Sequence, residues 1–172
     1  MKVSIGIASM LLAFCAHAGD VVRYPLPDGS KFPIAQAVEV PAGTTLVFQS
    51  GALGSPKDTT APAGTPEYWG NTKEQSISAF ANIKKALDSE GLGFGDVVKM
   101  LVFLAGDPAN GGKMDFKGFM EAYTQNFGTP EQPNLPARSA VQVAGLAAPG
   151  ALVEIEVICA RKTPPPPGKK KH

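Results

Sequence analysis

The sequence of 172 residues has little of the chemistry that many enzyme active sites use. It contains only two histidines, His17 near the N-terminus and His172 as the last residue. A histidine-based catalytic triad needs an imidazole in the folded body, and so does a metal site with several histidine ligands. Both are therefore excluded for the body of the chain.

Charge and long apolar runs are also scarce. Lysine and arginine number 16 against 15 acidic residues, which gives a formal net charge of +1. This balance does not favour binding to nucleic acid or to an anionic membrane surface. The apolar run over residues 3–14 is too short to cross a bilayer as a helix, so no membrane span is expected.

The N-terminus has the pattern of an export signal. The apolar run over residues 3–14 follows a basic residue and leads to Ala16-His17-Ala18, a small-x-small cleavage pattern. We expect residues 1–18 to be removed after Ala18 and the protein to be periplasmic or secreted. Lipidation of Cys15 is the alternative, but the bulky Phe14 before it fits a lipoprotein signal poorly.

The rest of the chain is long enough for one domain. We expect this domain to span residues 19–162 and the proline- and lysine-rich residues 163–172 to be a disordered tail. Without Cys15, Cys159 is the only cysteine, so no intramolecular disulfide can form. Its place in an alternating strand predicts a buried, unreactive thiol.

Periodicity and turn signals predict seven main elements in the order β-β-α-β-α-β-β. These are strands over residues 35–40 and 44–50 joined as a hairpin at 41–43, a helix over 72–91 with a Thr72/Gln75 capping box, a strand over 96–104, a helix over 115–128, and strands over 139–143 and 152–159. Residues 51–70 have no periodic pattern and predict a long loop, which often lines a site.

This order predicts an α+β fold with two helices on one face of a mixed sheet. The strand over 96–104 is apolar almost throughout and should be central and buried on both faces. The aromatic stripe of the second helix is typical of a core. Because two helices cover one face only, the other should pack against further copies in a closed cyclic oligomer.

Four segments, in this order along the chain, resemble the RidA/YjgF/YER057c/UK114 family. They are residues 91–99 (GLGFGDVVK), 119–123 (FMEAY), 136–139 (PARS) and 154–161 (EIEVICAR). The resemblance extends over residues 32–161. It implies a chorismate-mutase-like fold assembled as a homotrimer, with ligand sites between subunits. Members similar to RidA hydrolyse reactive imines, such as those formed from 2-aminoacrylate, to 2-keto acids and ammonia without a metal or organic cofactor.

The resemblance also implies roles for individual residues. Arg138 matches the arginine that binds the substrate carboxylate, which its planar fork of donors suits. The alternative for Arg138 is a salt bridge at a subunit interface. Glu154 matches the carboxylate that positions or activates the attacking water. Glu156 lies two residues on and is expected to pair with a basic neighbour in the assembly, such as Arg161.

Three further positions match the ligand site of the family. Gly51 matches a glycine whose backbone N–H faces the ligand, and Ala140 stands where RidA has a cysteine. Ile34 stands where RidA has a tyrosine that closes over the ligand. Tyr24, Tyr68 or Trp69 could supply an aromatic lid instead.

Three hypotheses for function therefore remain open. The first is an enamine/imine deaminase. The second is a non-catalytic trimeric protein that binds small carboxylates, with Arg138 as clamp and Glu154 in a structural role. The third, a ribonuclease or translation inhibitor, is disfavoured because the body has no histidine acid/base pair, no basic groove and no aromatic stacking run.

Overall fold

The computed structural model describes residues 20–161, so the predicted signal (1–18) and the predicted tail (163–172) lie outside the described residues. The described part contains seven strands and three α-helices. In chain order they are β1 (Val22–Tyr24), β2 (Ala37–Glu39), β3 (Thr45–Phe48), β4 (Ala52–Leu53), α1 (Pro66–Trp69), α2 (Thr72–Ser89), β5 (Val97–Ala105), α3 (Phe116–Tyr123), β6 (Ala137–Val143) and β7 (Val153–Arg161).

The main sheet is mixed, and β5 lies inside it as predicted. Its strand order is β3-β7-β5-β6, with β4 also paired to β7. The pair β5–β6 is parallel, whereas β3, β4 and β5 are all antiparallel to β7. Helices α2 and α3 bury Phe80, Ile83 and Phe119 against one face of this sheet. The α+β expectation is confirmed.

The predicted hairpin between the strands near residues 35–40 and 44–50 is wrong. Strand β2 pairs with β1, which the sequence analysis did not identify, and β3 pairs with β7 from the far end of the chain. The turn at residues 41–43 does form, because Thr44 N–H donates to Pro41 O at 3.3 Å. A tight turn reverses the chain, but it does not oblige the flanking strands to pair with each other.

The capping box of α2 lies one residue earlier than predicted, and the helix ends at Ser89, two residues before the predicted end. Asn71 is the N-cap, and its side chain accepts from Glu74 N–H while the Glu74 carboxylate accepts from Asn71 N–H. Gln75 is instead buried and joins two loops, donating to Gly70 O and accepting from Leu152 N–H. The capping box thus closes the exposed start of α2, and the buried glutamine ties α2 to the strand β7.

Two other predicted elements differ in extent. Residues 51–70 contain β4 and the short helix α1, which Thr65 caps, so they are not a structureless loop. Helix α3 is capped by Asp115 as predicted but ends at Tyr123. The aromatic core continues beyond it, because Phe127 is buried and stacks on Tyr123 with ring centroids 4.9 Å apart.

The second face of the main sheet carries no helix among the described residues, and we call it the open face. Its side chains include Phe48, Lys99, Leu101, Phe103, Val141, Glu154, Glu156 and Ile158. Leu101 and Phe103 are only half-buried, so burial of β5 on both faces is wrong for a single chain. Phe48 is 70% exposed and Val141 48% exposed. No helix within residues 20–161 is long and apolar enough to cross a membrane.

Candidate functional site

Arg138 lies on the helix-covered face of the sheet, near the start of β6. It stands opposite Met100 of β5, which is fully buried, so the Arg138 side chain points toward α3. Four aromatic rings surround the guanidinium. Its Cζ atom lies 4.2, 5.2, 5.4 and 5.8 Å from the ring centroids of Tyr123, Phe119, Phe32 and Phe116. These distances are typical of cation–π contacts.

This guanidinium is short of hydrogen-bond acceptors. Its Nη1 atom is buried and has no hydrogen-bond partner among the described residues. Burial lowers the pKa of Arg138 from its usual value, and the nearby Tyr123 hydroxyl only partly offsets this. A buried cation without an acceptor is unfavourable, since the rings replace only part of its lost hydration. The site is therefore electrostatically prepared for an anion.

Phe32 is the aromatic neighbour of Arg138 that the sequence analysis missed. It is 42% exposed, whereas Phe119 and Tyr123 in the same cluster are fully buried. The Tyr123 hydroxyl donates to Pro33 O at 2.8 Å and so fixes the segment that carries Phe32. Burial also raises the pKa of Tyr123 to about 12, which keeps this hydroxyl protonated. Only the adjacency of Phe32 to the matched position 34 could have signalled its role.

Two of the predicted ligand residues lie near Arg138. Ala140 is on the same face of β6, two residues along, and packs against the core. Ile34 is half-buried in a tight turn, with its N–H donating to Phe32 O at 2.8 Å. The next residue, Ala35, bridges to β6 and donates to Pro136 O at 3.0 Å. Arg138, Ala140 and Ile34 therefore form one group.

The other two predicted residues form a second group. Glu154 stands opposite Phe103 on the open face, and a Cβ atom on Gly51 would lie only 1.9 Å from the Glu154 Oε1 atom. The absence of a side chain at Gly51 thus leaves room for the Glu154 carboxylate. Glu156 shares this face, while alternation along β7 puts Arg161 on the other. Within one chain, Arg161 is not on the face of Glu156.

The sheet separates these two groups. Arg138 is in register with Met100 and Val157 on the helix-covered face, whereas Glu154 is in register with Phe103 on the open face. Side chains on opposite faces of a sheet cannot meet around one small ligand. One chain therefore offers an anion-binding group and a carboxylate at different places.

The structure places the three candidates for an aromatic lid, Tyr24, Tyr68 and Trp69, in different surroundings. Trp69 is buried, and its Nε1–H donates to Pro149 O at 2.8 Å, with Tyr68 packed edge-on against it. Tyr24 of β1 donates its hydroxyl to Glu39 and lines a cavity together with Phe32 and Ile34. Tyr24 is thus the candidate that borders the Arg138 group.

Within the described part of the chain, the cysteine lies in the core and the acidic side chains do not cluster. Cys159 is fully buried, which raises the pKa of its thiol to about 12, with a further contribution from Asp96 and Glu90. The expectation that this thiol is buried is confirmed. Residues 20–161 contain no cluster of three or more histidine, cysteine or acidic side chains that could hold a metal ion.

Comparison with known proteins gives a consistent set of relatives. The family model for endoribonuclease L-PSP matches residues 30–161. Protein DfrA of Myxococcus xanthus is 35% identical over 127 residues, covering 73% of this chain and 83% of that protein. The "Putative reactive intermediate deaminase TdcF" of Escherichia coli K12 is 32% identical over 133 residues, covering 77% of this chain and 90% of that protein.

A solved structure supports the same assignment at the level of the fold. The crystal structure of Escherichia coli TdcF with bound serine is 33% identical, has a TM-score of 0.52, and covers 81% of this chain and 94% of that one. The expected chorismate-mutase-like fold is confirmed by this likeness together with the mixed sheet and its two covering helices. The chain belongs to the RidA/YjgF/YER057c/UK114 family, whose model is named endoribonuclease L-PSP.

Proposed function

We propose that the protein hydrolyses reactive imines derived from enamines of the 2-aminoacrylate type to 2-keto acids and ammonia. One observation carries the proposal: the Nη1 atom of the charged Arg138 side chain is buried and has no acceptor within residues 20–161. A substrate carboxylate would supply that acceptor, and two N–H donors of the guanidinium can meet its two oxygens. The aromatic rings around Arg138 exclude water and strengthen this ion pair.

Glu154 supplies the second function in this proposal. Its carboxylate takes a proton from water while the oxygen adds to the carbon of the protonated imine, C=NH₂⁺, which gives a neutral tetrahedral carbinolamine. Glu154 then returns this proton to the amine nitrogen, the carbon–nitrogen bond breaks with its electron pair leaving on ammonia, and the hydroxyl gives its proton to the Glu154 carboxylate as the keto group forms. Ammonia takes that proton from Glu154 and leaves as ammonium. Such acid–base assistance is worth roughly 10²–10⁴-fold in rate.

Assembly follows from the separation of Arg138 and Glu154 by the sheet. A ligand that touches both must lie between Arg138 of one copy and Glu154 of another. We therefore propose a homotrimer with three sites between subunits, assembled through the open face. The exposed apolar side chains of that face, including Phe48 and Val141, support this assembly.

Release of keto acid from enzymatically generated 2-aminoacrylate and 2-iminobutyrate tests the proposal. Arg138→Ala should lose acceleration because the carboxylate clamp is gone, and Glu154→Gln should lose roughly 10²-fold or more because the amide cannot take a proton. Glu156→Gln is the matched control, since it removes the same charge from the same face of β7. Equal losses in the two glutamine variants would contradict the role of Glu154.

A non-catalytic role as a binding protein for small carboxylates is the second candidate. Two observations favour it: Arg138 and Glu154 lie on opposite faces of the sheet in one chain, and the related TdcF structure contains bound serine. In that case Arg138→Ala should abolish binding of a 2-keto acid while Glu154→Gln keeps it. Wild-type trimer that binds the keto acid without accelerating imine hydrolysis would favour this candidate.

We further propose that the protein acts outside the cytoplasm, on the pattern of residues 1–18. N-terminal sequencing of protein recovered from a periplasmic extract should start at Gly19. An intact Met1 start in the cytoplasmic fraction alone would contradict export.

A further inference from the structure

The N-terminal segment before the family-matched region is fixed onto the body of the protein. The family model begins at residue 30, whereas β1 starts at Val22 and pairs with β2. Arg23 donates to the backbone carbonyls of Val97, Leu135 and Gly95 at 2.9, 2.7 and 3.0 Å. These contacts hold residues 22–29 beside the segment that leads into β6 and Arg138.

A cavity of about 410 Å³ lies between this segment and the body. Its apolar walls are Tyr24, Pro25, Leu26, Phe32, Ile34 and Leu135. Most polar groups at its edge are engaged within the chain: Arg23 as above, the Asn134 amide with Gly95 O, and Ser30 Oγ with Phe32 N–H. Lys31 also lines the cavity, and the part bounded by the apolar walls suits an apolar group.

Phe32 connects this cavity to the guanidinium of Arg138. Its ring lines the cavity, and its centroid lies 5.4 Å from Arg138 Cζ. Phe119 and Tyr123 close the guanidinium on the buried side. Phe32 is the partly exposed ring beside the guanidinium, so we take its side as the approach for an anion, and the rest of such a ligand would then lie next to the cavity.

We propose that this cavity is a side-chain subsite for 2-imino and 2-oxo acids with branched aliphatic or aromatic side chains. The inference rests on the proposed role of Arg138 as a carboxylate clamp and adds the class of side chain to it. A methyl side chain would leave most of the cavity unfilled, whereas an isobutyl or benzyl group would contact Leu26 and Ile34. Each added methylene in an apolar pocket typically changes affinity by about tenfold or more.

Binding of 2-oxo acids to the full chain tests the subsite independently of turnover. By titration calorimetry, 4-methyl-2-oxopentanoate and phenylpyruvate should each bind at least about tenfold more tightly than pyruvate. Leu26→Trp fills the cavity from the N-terminal segment and should reduce this ratio to about one. Ile77→Trp is the matched control, because Ile77 is 41% exposed on α2 and does not line the cavity.

The possible results separate the subsite from the proposed function. Equal affinities for the three acids in the wild type, or an unchanged ratio in Leu26→Trp, would overturn the subsite alone. Failure of all three acids to bind would overturn the carboxylate clamp and the subsite together. Selective binding without imine hydrolysis would support the subsite and overturn only the deaminase activity.

Discussion

Arg138 sits in an environment that favours ligand binding more than stability. Its buried Nη1 atom has no acceptor in the part of the chain that the structure describes, and four aromatic rings replace its hydration only in part. Replacement of a buried charge by an apolar side chain of similar volume is often neutral or stabilising. We expect Arg138→Met to raise the free energy of unfolding by about 1 kcal/mol and to abolish keto-acid binding. Urea unfolding and calorimetry measure the two effects.

The opposite result for Arg138→Met would also be informative. If Arg138→Met lowered the free energy of unfolding by about 3 kcal/mol or more, the guanidinium would have a carboxylate partner from another copy. Arg138 would then be an interface salt bridge and not a ligand clamp. Phe116→Leu is a useful control, because it removes one ring of the cluster while leaving the guanidinium in place.

The two glycines that flank β4, Gly51 and Gly54, should respond differently to alanine. At Gly51 a Cβ would meet the mobile end of the Glu154 side chain, at 1.9 Å from Oε1. Gly51→Ala should therefore displace the carboxylate, reducing kcat about tenfold or more while changing stability by less than about 0.5 kcal/mol. Keto-acid release and urea unfolding are the measurements. Normal kcat in this variant would mean that the position of Glu154 is not critical.

At Gly54, by contrast, alanine should affect stability and not catalysis. Its Cβ would lie 2.7 Å from the backbone carbonyl oxygen of Gln75 in α2, and backbone cannot move aside easily. Gly54→Ala should cost about 1–3 kcal/mol of stability. The residual folded protein should keep its kcat, because a Cβ on Gly54 would meet the backbone of α2 and not the Glu154 side chain.

At the scale of elements, the core face of β7 carries a group that links stability to alkaline pH. Burial holds the pKa of Cys159 at about 12, above its ordinary value of 9.0. Below pH 9 the thiol keeps its proton in both the folded and the unfolded chain, so the pKa difference causes no loss of stability there. Above pH 9 the unfolded chain loses the proton first, and stability falls as pH rises toward 12.

Above pH 9, this thiol should lower the free energy of unfolding by about 1.4 kcal/mol per pH unit. Comparison of wild type with Cys159→Ala by urea unfolding at pH 8 and pH 10 isolates it. The decline between these values should be smaller in the variant by roughly 1 kcal/mol. Identical declines would show that the thiol is not protected in the folded state.

The elements that could be predicted from sequence are those with strong local patterns. Strand β5, the α2 and α3 helices and the last two strands were found because their apolar positions repeat over many residues. The pairing of β2 and β3 was mispredicted because strand partners depend on non-local contacts. The three residues of β1 are too few for any periodicity to be seen.

The candidate site was predictable by residue but not by arrangement. Family motifs pointed to Arg138 and Glu154, yet their places on opposite faces follow from strand register, which one sequence does not reveal. The aromatic stripe of α3 was correctly assigned to the core. Its contact with Arg138 depends on how α3 packs over β6, and Phe32 had no periodic neighbours to mark it.

At the scale of the whole molecule, the open face is the surface through which we propose that the copies assemble. Val141 is 48% exposed at its edge, so a lysine there would bring charge into the proposed interface. Val141→Lys should leave the protein monomeric, where the wild type forms the proposed trimer, and should abolish imine hydrolysis. Analytical ultracentrifugation measures the mass, with Ile77→Lys on the exposed side of α2 as the control that stays trimeric. A wild-type monomer would contradict sites between subunits.

The single tryptophan gives the protein an intrinsic optical probe. Trp69 is the only tryptophan in the sequence, is buried at the end of α1, and donates its indole N–H to Pro149 O. Its emission should report the docking of α1 on the loop before β7, and it should shift to the red when that loop detaches. Because Trp69 is not among the aromatic rings around Arg138, ligand binding there should leave this fluorescence nearly unchanged.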